Sequence, residues 1–169
     1  MASNEDDHWN QIVWRFEGLE LLRNDCERLA EYARVDDQMG FRQNQEMSAS
    51  IFQIENDVAT PEMMERLVNQ FREYNSSWLE HLRKNSSMIR KFSPSIADVL
   101  DSMINQLETE TRASIREMND RTNEELLQTR EHLISSIKSQ AHSFAILFDR
   151  CKITISRIKT NLSEISGAL

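Results

Sequence analysis

The sequence predicts an all-α protein, with three long helices in an elongated antiparallel coiled-coil or helical-bundle arrangement and one domain over residues 1–169. Three observations predict it. Ile12, Leu19, Cys26, Ala33, Gly40, Met47 and Ile54 follow one another in steps of seven, with Leu22 and Leu29 on the interleaved seam. The whole chain has 3 Gly and 2 Pro, too few turn residues for the hairpins of a sheet protein. Each proline stands directly after a hydroxyl residue that can begin a helix.

Helix 1 is expected over about 4–58, carried by that first ladder. It ends before Thr60-Pro61-Glu62, where threonine can cap, proline occupies the first turn without losing a hydrogen bond, and an acid faces the helix dipole. Helix 2 follows over about 61–92. Its ladders are Met64, Phe71, Trp78, Asn85, Phe92 and Val68, Asn75, Leu82, Ile89. The aromatic residues suit antiparallel pairing against small residues such as Ala33 and Gly40, and the two asparagines would fix register at a cost in stability. Ser93-Pro94-Ser95 repeats the starting device for helix 3, over about 95–166.

Helix 3 is uneven. Ile96, Leu100, Met103 and Leu107 open a seam, a charged stretch follows, and Thr122 with Glu125 has capping-box spacing beside the poor helix formers Asn119, Asp120 and Asn123. A break is therefore expected near 119–123 if the chain does not run straight. Beyond it, Ile137, Phe144, Cys151, Ile158, Ile165 and Ala141, Phe148, Ile155, Leu162 form a second pair of ladders.

At 1.5 Å per residue the straight helices would measure about 80, 45 and 105 Å, so helix 2 leaves the start of helix 1 and the tail of helix 3 uncovered. Exposed seams of that size are binding surfaces. The expected partner-binding residues are Trp9, Ile12, Phe16 and Leu19 on one overhang and Phe144, Phe148, Ile155, Ile158 and Leu162 on the other. Residues 1–37 carry ten acids and four arginines, whereas 138–169 carry five basic residues and two acids, so the overhangs are complementary in charge. An oligomer with itself or with another helical protein follows. The competing arrangement breaks helix 1 near Gly40 and helix 3 near 120, and folds both ends back into a compact bundle.

Composition narrows the partners. Against 28 Asp and Glu stand 20 Lys and Arg, a net charge of −8 that repels a phosphate backbone, so nucleic acid is not expected. No apolar run is long enough to span a bilayer, and the acidic start Met1–Asp7 is unlike a signal peptide. The expected compartment is the cytoplasm, with the nucleus also compatible. Cys26 and Cys151 fall on core positions and read as small hydrophobes, and the sequons at Asn75, Asn85 and Asn161 as helix-surface residues.

No catalytic, cofactor-binding or metal site is expected. Only Glu5-Asp6-Asp7-His8 has the Glu-x-x-His spacing of a bundle metal site, and His81, His132 and His142 lack partners at helical spacing. Phosphate-cradling glycine loops and nucleophile elbows are absent. The expectation is a non-enzymatic structural or adaptor subunit, a scaffold that recruits proteins by helix pairing. The alternative is a peripheral membrane-binding dimer of BAR-like architecture. It would use Phe144, Ile146, Leu147, Phe148, Ile153 and Ile155 with Lys138, Arg150, Lys152, Arg157 and Lys159.

Overall fold

The computed structural model describes residues 38–168 together with the helical residues 24, 27, 28, 30, 31 and 34; for 162, 163 and 165–168 it describes the backbone alone. Five helices are seen among these residues: α1 over 38–56, α2 over Pro61–Ile89, α3 over Pro94–Asn119, α4 over Asn123–Gln128 and α5 over Arg130–Ala168. No strand occurs among the described residues. The all-α helical bundle expected from the heptads is what the chain adopts.

Polar contacts between the helices fix their directions. Trp78 Nε1 donates to Gln43 Oε1 at 2.7 Å, Ser50 Oγ donates to Gln70 Oε1 at 2.7 Å, and the Tyr74 hydroxyl donates to the Glu46 carboxylate. Falling numbers on one helix therefore meet rising numbers on the other, and α1 and α2 are antiparallel. Ser86 Oγ donates to Asp101 Oδ1 at 2.6 Å, while Arg83 pairs with Glu108 and Arg72 reaches Asn119, so α3 returns along α2. Gln140 bonds Ser114, and Arg150 Nη1 lies 3.3 Å from Met103 Sδ, which sets α5 antiparallel to α3.

The third helix is thus divided, and the straight run past residue 120 does not form. Asp120 ends α3, and the Thr122 hydroxyl accepts from Glu125 N at 3.2 Å to start α4, the capping-box pair legible in the sequence. Arg121 fastens the corner, donating to Glu117 at 2.7 Å on one side and to Thr129 Oγ1 at 2.8 Å on the other. The tail from 128 onward consequently lies on the bundle instead of projecting from it. At the other expected break, Gln38, Met39 and Gly40 are helical, while Asp36 and Asp37 lie outside the described residues.

Thr60 caps α2 by accepting from Met63 N at 3.3 Å, with Pro61 in the first turn. Ser93 does not repeat this. Pro94 starts α3, but at φ −147° and ψ 92° the Ser93 hydroxyl makes no cap and lies 3.5 Å from Ser95 Oγ.

The core runs along one face of α2, whose buried side chains recur at three- and four-residue spacing and include Met64, Leu67, Phe71, Leu82 and Ile89. Every member of its two ladders is buried except the half-buried Phe92. Trp78 stacks obliquely on Phe144 of α5, ring centroids 5.2 Å apart, and joins the helix pairs across the bundle. Asn75 and Asn85 are buried as their seam positions require, and neither Oδ1 finds a donor among the described residues. Such groups destabilise a core, which is consistent with a role in fixing register.

Candidate functional site

α1 and α5 face each other across an open seam. Three clefts follow one another along it. At one end Gly40, Phe41, Asn44, Ala145 and Phe148 enclose a cleft of about 180 Å³ floored by Trp78 and Phe144. The next, of about 440 Å³, lies between Asn44, Ser48 and Phe52 on α1 and Ala141, His142 and Ala145 on α5. The last, of about 640 Å³, is bounded by Ile54, Val58 and Ala59 on one side and Leu127, Arg130 and Ile134 on the other. Lys138 Nζ crosses the seam to Glu55 at 3.0 Å, with both side chains about half exposed.

The local sequence explains why the seam stays open. Gly40, Asn44 and Ser48 on α1 and Ala141 and Ala145 on α5 put short side chains at successive turns of the two facing walls. Small residues leave a channel where larger ones would interlock. On its rim stand Phe41 and Phe52, 66% and 67% exposed. They are eleven residues apart, three helical turns, and so share one face of α1. Two phenylalanines largely in water beside an apolar channel leave substantial hydrophobic area unburied.

Gly40 was expected to make room for an aromatic side chain of helix 2. Trp78 does line the same cleft, but a Cβ added at Gly40 would meet nothing within 4 Å. The backbone there is helical and no glycine has positive φ among the described residues, so neither packing against the described residues nor backbone geometry requires the glycine.

The expected partner-binding residues divide into three groups. Phe144 and Ile155 are buried in the core, and Phe148 and Ile158 are half-buried against it. The Leu162 side chain and Trp9, Ile12, Phe16 and Leu19 lie outside the described residues. Of the first two groups Phe144 and Phe148 line a cleft of the open seam, Phe144 as its buried floor and Phe148 as a wall. Phe41 and Phe52 were missed because they stand off the heptad ladders. The signal that could have found them is the eleven-residue spacing within a stretch, 41–54, whose charged residues are Arg42 and Glu46 alone.

Among the described residues no group of three or more His, Cys, Asp or Glu is placed to hold a metal ion, and no helix is long and apolar enough to cross a membrane. The groove offers shape and apolar surface. No family model matches the chain, and no curated protein or solved structure is significantly similar to it.

Proposed function

We propose that this protein is a non-enzymatic structural or adaptor subunit that recruits proteins by helix pairing. The observation that carries this reading is the groove between α1 and α5, with Phe41 and Phe52 on its rim and small residues on its walls. A channel of this form suits an amphipathic helix laid along it, with apolar side chains entering successive clefts at helical spacing. The partner helix would add to the bundle and bury the two phenylalanines.

The test is a comparison of proteins retained from cell extract by the full chain and by the Phe41→Asp/Phe52→Asp variant. Both positions are exposed, so the variant should keep its circular dichroism spectrum and melting temperature. Loss of a reproducible set of helical proteins is the expected result; an unchanged set counts against the reading. Substitutions at Phe144 or Ile155 would serve poorly, because these residues hold the bundle together.

A second reading has its own observation. On the outer face of α3 and α5, Ile96, Val99, Ile146 and Ile153 are each more than 40% exposed, beside the exposed Arg150 and Arg157. Aliphatic and basic groups together suit an anionic lipid surface. Sedimentation with phosphatidylserine vesicles at low and high salt tests it. Salt-sensitive binding lost in Arg150→Glu/Arg157→Glu supports the membrane reading, and absence of binding removes it.

A further inference from the structure

We infer that the Gly40 end of the groove receives Phe52 from a second copy of this chain, in a two-fold antiparallel pairing of the α1 helices. This rests on the helix-pairing reading above and names the partner for that same groove.

The first argument is Gly40 itself. Glycine is the poorest helix former after proline, yet this one sits within α1 at a site where an added Cβ would meet nothing within 4 Å among the described residues. Its use makes sense if the space above it is filled by another molecule. The adjoining cleft of about 180 Å³ is bordered by Phe41, Phe148 and Trp78. That is comparable to the roughly 150 Å³ that accepts a benzene ring in an engineered protein cavity.

The second argument is symmetry. A two-fold axis crossing α1 near residues 46 and 47 exchanges position 41 with 52 and position 45 with 48. Phe52 of each copy then lies beside the Gly40 and Phe41 turn of the other, and both clefts are filled by one operation. Between the two phenylalanines the exposed face carries Asn44, Gln45, Ser48 and Ala49, short or flexible enough for close approach.

The third argument is charge. Copies bearing a net charge of −8 repel one another, and an isologous contact brings each charge on the contact surface toward its own copy. Positions 41, 44, 45, 48, 49 and 52 carry none. The charged or titratable groups bordering these two clefts are the Glu55–Lys138 pair, which is internally compensated, with His142 and Asp149 on the α5 wall. An unrelated partner would impose no such neutrality.

The experiment is light scattering of the purified full chain, from dilute to concentrated solution, with the variants Phe52→Asp and Gly40→Leu. The chain should show twice its 19.8 kDa mass and both variants the single mass. Gly40→Leu is the sharper variant, because its Cβ meets nothing within 4 Å among the described residues and leucine improves the helix, so its melting temperature at low concentration should hold or rise while pairing is lost. A chain monomeric throughout, or a Gly40→Leu variant that still dimerises, overturns the inference. The two failures differ for the parent reading: dimers unaffected by either variant keep helix pairing but place it elsewhere. A monomer leaves helix pairing to be decided by the Phe41 and Phe52 comparison in cell extract.

Discussion

The α2–α3 contact and the α1–α5 contact are built from the same kind of heptad ladder, and one is closed while the other is open. Between α2 and α3, Asn85 and Ser86 are buried, Arg83 pairs with Glu108, and Arg90 reaches Asp98 at 2.8 Å and Asp101 at 2.6 Å. Between α1 and α5, the ion pair that crosses the seam among the described residues is Lys138–Glu55, and the flanking positions are phenylalanine, glycine, serine and alanine. The ladder decides which stripe of a helix is buried. The residues beside the ladder decide whether the groove is sealed, since long polar side chains cover the α2–α3 contact and short ones leave the α1–α5 contact accessible.

Breaking the buried floor beneath the open seam should cost most. Trp78→Ala removes the ring that joins α2 to Phe144 and should lower stability by about 3–5 kcal/mol in urea denaturation. Phe52→Asp, across the comparison, should change monomer stability by less than about 0.5 kcal/mol. Next in size, Thr122→Ala removes the cap at the α3–α4 corner and should cost about 1 kcal/mol, read from the same denaturation curves. Asn85→Leu sharpens the contrast in the other direction. Replacing a buried carbonyl oxygen that has no donor among the described residues with an apolar group should raise the melting temperature.

Two titrations distinguish the α2 contacts further. The Ser86 hydroxyl, with help from Arg90, holds the Asp101 carboxyl below its ordinary value of 3.8. A lowered carboxylate pKa adds stability that is present above 3.8 and is lost as pH falls through the lower folded value. Ser86→Ala should flatten that acid limb, measured as urea midpoints between about pH 5 and pH 3. The hydrogen bond to Glu46, together with burial, pushes the Tyr74 hydroxyl up to about 12 from its ordinary 10.0. Its contribution is complete below pH 10 and disappears as pH rises toward 12, a loss that Tyr74→Phe should abolish. A small effect is expected for the ion pair across the open seam: Lys138→Met removes a half-exposed pair and should alter stability by less than about 1 kcal/mol.

Much of the interior was legible because its signals are local or periodic. The ladders of α2 named most of its buried residues but not Leu67, Tyr74 or Ser86, Thr60-Pro61 named its start, and Thr122 with Glu125 marked the corner. The destination of α5 was less legible, because a seven-residue repeat specifies an apolar stripe without specifying the helix that covers it. Phe144 and Ile155 therefore read equally well as interface or core, and their burial follows from a corner that the sequence made only an alternative. Ser93 failed as a cap because its backbone angles turn the hydroxyl toward Ser95, a detail invisible in the Ser-Pro dipeptide. The groove is a property of two helices far apart in sequence, and only their meeting makes it visible.

That separation bears on how the molecule is made. Adjacent helices pair through short connections, but Glu55 and Lys138, which meet across the groove, are separated by 83 residues. At a synthesis rate of about 5–20 residues per second, Lys138 emerges roughly 4–17 seconds after Glu55. For that interval the wall of α1 stands without α5 beside it. On a polysome, where neighbouring nascent chains are held close together, that flank of α1 is bare toward them.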